Sequence, residues 1–167
     1  MSGDPILYAR NCAFIIADEP FRRRTHDDGA LTSFNQILKL AAAIDAPHFD
    51  MRTLVKANNS FAIDDALLRE IGALRRSSLV IVGALLEGAI TQLAMSALLD
   101  GFDVFVPADL VLSGDSEREQ MYFDRIRAVS GIIVSSRQLL LELMLRETDA
   151  ERRLAIEGVQ TQFLGPQ

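Results

Sequence analysis

The chain has 167 residues and a formal net charge of −6, so its electrostatics disfavour phosphate backbones, and nucleic acid is not expected as a partner. Hydrophobic residues make up 49% and charged residues 24%, which suits a globular chain with one buried core and argues against disorder. No apolar run approaches the roughly 20 residues of a membrane span, and Met1–Asn11 lacks the basic and apolar regions of a secretory leader.

In chain order, Ala13–Ala17 is a continuous apolar run ending at Asp18, the pattern of a strand buried on both faces. Cys12, just before it, is the only cysteine; it excludes an intramolecular disulfide and points to a reducing compartment, hence the cytoplasm. Glu19–Gly29, with Pro20 and the triplet Arg22–Arg24, reads as a polar loop. Leu31–Ile44 has helical spacing, with Thr32 or Ser33 available as its cap. Pro47–Met51 and Leu54–Lys56 are short extended candidates. Asp64 or Asp65 can cap a helix through Leu74, with Leu67, Leu68, Ile71 and Leu74 on one face. Leu79–Gly83 is the clearest central strand, followed by a helix at Glu87–Leu99 that Gly101 closes. Phe102–Pro107 is the next strand, Asp115–Val129 a charged helix, Ile132–Val134 a last strand, and Ser136–Leu145 and Asp149–Gln162 terminal helices.

Strands alternating with helices make right-handed βαβ units and a parallel sheet. The expected fold is a three-layer α/β/α, doubly wound, Rossmann-like sheet of five to six strands in one domain over residues 1–167. The five clear strands should lie in the order 2-1-3-4-5. The Lys56 segment is at most an edge, because Arg52 and Thr53 leave no room for a crossover of about ten residues. Ligands of such sheets bind beyond the carboxyl ends of the strands, which selects Asp18, the segment Gly83–Ala89, Asp109 and, shortly before a strand-linking helix, Lys56. No G-x-G-x-x-G occurs, and His26 and His48 lack ligand spacing, so neither a dinucleotide, another cofactor nor a metal is expected.

From about Leu79 to Leu143 the chain resembles the isochorismatase-like cysteine hydrolases, and most nearly the small branch of isochorismatase-domain-containing proteins. The stretches LVIVGALLEGAITQLAMSALLDGFDVFVPAD (79–109) and SGIIVSSRQLLLEL (130–143) carry the resemblance. Upstream, FIIAD (14–18) is similar to the strand ending in the family's catalytic aspartate, and LVKANNSFAIDDALLREI (54–71) to the segment with its lysine. The resemblance implies that Asp18 stands for the carboxylate, Lys56 for the ammonium and Ala89, six residues after Gly83, for the nucleophile. In the family a thiol attacks an amide, ester or similar centre, a carboxylate accepts its proton, and lysine favours the thiolate. Alanine has no nucleophilic atom, and Cys12 lies at the far end of the first strand from Asp18.

Three departures accompany Ala89. Leu86 replaces a polar residue three positions earlier, Pro20 replaces the usual Gln two positions after the aspartate, and the stretch before Lys56 is short. The aspartate–histidine metal site of the nicotinamidase branch has no counterpart.

Each residue also has a plainer reading. Asp18 can hydrogen-bond a helix N-terminus or pair with Lys56, one of only two lysines among 17 basic residues. Glu87 can act as a replacement base, but reads more simply as a solvent-facing acid at a helix start. Ser60, Thr91 and Ser96 have no nearby histidine for triad chemistry, and Cys12 is a small core residue. The expected function is a hydrolase homologue without its nucleophile, serving as a binding or scaffold protein for a small polar ligand, with Glu87, Leu86 and Ser60 beside it. The alternative is a hydrolase of a small amide or ester acting through Asp18 and Lys56 without a covalent thiol intermediate. Leu-, Met- and Ala-rich helices, together with the resemblance, lead us to expect a homo-oligomer.

Overall fold

The computed structural model describes residues 6–51 and 65–164. Five parallel strands form one sheet: β1 (Cys12–Ile16), β2 (His48–Asp50), β3 (Ser78–Val82), β4 (Asp103–Pro107) and β5 (Ile132–Val134), in the order β2-β1-β3-β4-β5. This is the expected order. The candidate strand at Leu54–Lys56 lies outside the described residues.

The apolar runs of β1 and β3 are buried along their whole length because helices cover both faces. Side chains alternate between two cores. Cys12, Phe14 and Ile16 join Val80, Val82 and Phe105 on one face, where α1 (Asp18–Arg24), α2 (Asp28–Ala43), α6 (Ser136–Arg146) and α7 (Ala150–Leu164) pack. Ala13 and Ile15 join Leu79, Ile81, Val104 and Val106 on the other, under α3 (Asp65–Ala73), α4 (Thr91–Leu99) and α5 (Glu119–Ala128). Strand residues in register, such as Phe14 with Val80, therefore face the same layer.

Several local expectations are corrected. Glu19–Gly29 is not a loop: Asp18–Arg24 is helical, with α2 already begun at Asp28. Pro20 sits in the first turn, where its missing N–H costs nothing, and the acids and arginines lie at the ends of α1 that the helix dipole favours. Phe21 anchors it, stacked on Phe34 with ring centroids 4.5 Å apart. Thr32 and Ser33 do not cap α2; the Asp27 carboxylate does, accepting from the Gly29 and Ala30 amides at 2.8 and 3.2 Å. Leu74 follows the last turn of α3 and is 47% exposed instead of sharing its buried face. A five-residue π-turn, Leu86–Ile90, precedes α4. The charged helix starts at Glu119, because Asp115 is engaged in a turn by Arg118 at 2.9 Å.

Gly83 joins β3 to that π-turn with φ +91°, and a Cβ there would lie 2.6 Å from the Ala17 carbonyl oxygen. Gly101 has φ +89° but nothing within 4 Å of its would-be Cβ. Gly83→Ala should therefore cost about 2–5 kcal/mol in chemical denaturation, combining backbone strain with overpacking, whereas Gly101→Ala should cost only about 1–2 kcal/mol.

Candidate functional site at the carboxyl edge

Two chain crossings build the carboxyl edge. The β1–β3 ladder runs from Cys12 opposite Ser78 to Ile16 opposite Val82, and the Ala17 amide extends it by donating to the Val82 carbonyl at 3.0 Å. Asp18 thus emerges beside Gly83, as the first residue of α1. Its carboxylate accepts from Arg22 Nε at 2.5 Å. Arg22 also donates to Asn35 Oδ1 at 2.7 Å and lies 5.5 Å from the centroid of the Phe34 ring. Both members of the ion pair are half-exposed, and such a pair at i,i+4 stabilises a helix by only about 0.3–0.5 kcal/mol. Asp18 was expected to pair with Lys56; Lys56 and Ser60 lie outside the described residues, and Arg22 is the partner that emerges. Its i,i+4 spacing was the available signal, hidden by reading the segment as a loop.

Beyond Gly83 the chain turns toward β4. The Gly83 amide donates to the Leu110 carbonyl at 2.7 Å, Leu86 to the Leu112 carbonyl at 2.8 Å, and Leu112 back to the Ala84 carbonyl at 2.9 Å. This short ladder fixes the π-turn that carries Leu86, Glu87 and Ala89. Leu86 is fully buried, Thr91 donates its hydroxyl to the Leu86 carbonyl, and Ala89 is half-buried against the core shared by Ile90 and Leu93.

Glu87 is not the solvent-facing acid expected. It is half-buried; Oε1 accepts from the Gly114 amide at 2.8 Å, while Oε2 is buried with no hydrogen-bond partner. A Cβ at position 114 would approach Oε1 to 2.6 Å, so glycine there lets the carboxylate reach the amide. The contact lies 27 residues away in sequence, and no local pattern announces it.

Asp109, the third rim position, accepts from both the amide and the hydroxyl of Ser136 and so fixes the start of α6. Ser135 caps the same helix by accepting from the Gln138 amide. Asp18 and the turn bearing Ala89 therefore share the carboxyl edge, and Asp109 there holds a helix. Cys12 opens β1 at the amino end, fully buried. Desolvation pushes its thiol pKa up to about 12, against a smaller opposing effect of Arg76 and a backbone hydrogen bond. Among the described residues, no group of three or more His, Cys, Asp or Glu is placed to hold a metal ion.

Residues 5–138 match the isochorismatase domain. YcaC from Pseudomonas aeruginosa, solved with hexane-2,5-diol and covalent acrylamide, is 17% identical and superposes with a TM-score of 0.75 over 95% of this chain and 93% of its own. The YcaC gene product from Escherichia coli, an octameric hydrolase of unknown specificity, is 15% identical with a TM-score of 0.79 over 98% and 93%. MAR1 ribonuclease from Caenorhabditis elegans is 15% identical with a TM-score of 0.73 over 96% and 93%. At these identities the structural likeness speaks for the fold alone. No curated protein matches the chain in sequence.

Two measurements check this geometry. With a pKa near 12, on the order of one Cys12 thiol in ten thousand is ionised at pH 8. Iodoacetamide should leave the native protein unlabelled and modify it promptly in denaturant. Glu87→Ala should speed hydrogen exchange at the Gly114 amide about tenfold or more, the loss of a hydrogen bond to a carboxylate, and leave the β1 amides unchanged.

Proposed function

Because the chain belongs to the isochorismatase domain family, we propose that it is a member without the nucleophilic cysteine, a binding or scaffold protein in place of a hydrolase. One observation carries this reading. Ala89, the position that the resemblance assigns to the thiol, lies on the turn after β3, while the only cysteine lies buried at the amino end of β1. Thiol attack needs a thiolate within reach of the substrate, and Cys12 fails on location, burial and pKa together. The buried Leu86 and the short stretch before Lys56 support the same conclusion, since a restored thiol would still lack its polar surroundings.

A second reading keeps chemistry without a covalent intermediate. In it Asp18 and Lys56 hydrolyse a small amide or ester, with Glu87 as a base for water. The buried, unpartnered Oε2 of Glu87, on the same turn as Ala89, favours it. Against it, Asp18 is already held by Arg22, and Glu87 Oε1 is committed to Gly114.

In the proposed reading the protein is a cytoplasmic, single-domain homo-oligomer. Leu99, Leu145 and Leu154, at 86, 74 and 67% exposure, offer apolar surface for subunit contact. The octameric YcaC of similar fold supports assembly.

Purified protein should show no hydrolysis of amides or esters above background, and Ala89→Cys alone should recover little, since misplacement by about 1 Å can cost on the order of 100-fold. Robust turnover abolished by Asp18→Asn or Lys56→Ala would replace the first reading with the second. Light scattering should give a mass well above the 18.4 kDa of one chain.

A further inference from the structure

A cavity of about 460 Å³ opens on the α2 side of the sheet, away from the π-turn. The two places lie mainly in different layers: Leu86, Ala89 and Ile90 pack into the core under α4, whereas Ile16 and Ala41, which line the cavity, belong to the core under α2; of the other lining residues, Phe49 packs against the α4 core and Asp18 stands at the carboxyl edge. Its origin can be read from register. His48 and Asp50 of β2 pair with Phe14 and Ile16 of β1, whose side chains point into the α2 layer. By the alternation of strand side chains, positions 48 and 50 occupy the same face, where core residues would be expected. They are polar and exposed. Across from them α2 presents Leu38, Ala41 and Ala42, and the two alanines are too small to close the gap. A trough remains, apolar along α2 and Ile16, and acceptor-rich where Asp50, His48 and Asp18 meet it.

We propose that this trough binds a small organic amine, an ammonium head on an apolar body about the size of a phenyl ring. The volume falls in the range of roughly 300–1,000 Å³ typical of small-molecule sites. Apolar walls with a few polar groups define an amphiphilic ligand. The head group follows from the inventory: ionised carboxylates only accept, each with about four lone-pair directions, so Asp18 and Asp50 can receive a donor in addition to their protein contacts. Carboxylates offer an anionic head no hydrogen-bond donor, whereas an ammonium head can donate to both. The site does not depend on Ala89, and so it stands whether or not the protein turns over a substrate.

Benzylamine titrated into the intact ¹⁵N-labelled protein tests the proposal, with benzyl alcohol and phenylacetate as controls. Benzylamine should shift the amides of Leu38–Ala42 and His48–Asp50 saturably, with phenylacetate at least about tenfold weaker. Asp50→Asn, at an exposed position, should weaken benzylamine about tenfold. Ala42→Phe, which fills the trough from a solvent-facing helix position, should abolish the shifts while the β1 and β3 resonances stay in place. Equal binding of all three probes, shifts confined to Leu85–Thr91, or no shifts at millimolar benzylamine would overturn it. None of these outcomes bears on the hydrolysis assays, so the two readings fail separately.

Discussion

The carbonyl of Ala17 and the α-carbon of Gly83 come so close that no side chain fits between them, and the carboxyl edge is organised by that contact. It follows from the parallel register of β1 and β3, which brings both strands to their ends together. From there the chains diverge. Asp18 enters α1 on one side of the sheet, while Gly83, at positive φ, sends its amide to Leu110 and its chain toward β4. A larger residue at 83 would push the two strand ends apart and separate Asp18 from the turn that carries Ala89.

The polar contacts around this joint hold loops in place. Glu87 reaches the Gly114 amide, Asp109 fixes Ser136, and Arg22 ties Asp18 to Asn35. Each joins the end of one element to the start or body of another. In the proposed reading, a chain with these contacts keeps its edge geometry whether or not position 89 carries a nucleophile. In that reading, binding persists where turnover does not.

Much of this was legible from residues alone. The runs at 13–17 and 79–83 are apolar because both their faces are covered, and that doubly buried pattern reads directly as central parallel strands. Strand order followed from crossovers of helical length. What was missed has physical causes. The segment 18–24 carries so many charges that it resembles a loop, yet it is helical because Phe21 packs on Phe34, a contact outside any local window. The true cap of α2, Asp27, stands ahead of the apolar periodicity that marked the helix. The burial of Glu87 depends on a glycine 27 residues later, and the trough depends on which edge-strand residues share a face with Phe14 and Ile16. Long-range register decides these features, and local pattern does not encode it.

Pre-steady-state kinetics with p-nitrophenyl acetate test the proposed absence of a nucleophile most directly. A hydrolase that forms a covalent intermediate releases its first equivalent of p-nitrophenolate in a burst as the intermediate accumulates. With Ala89 on the turn and Cys12 buried at the other end of β1, the account predicts linear release at the uncatalysed rate and no burst. A burst approaching one equivalent per chain from the unmodified protein, lost in Asp18→Asn, would contradict it.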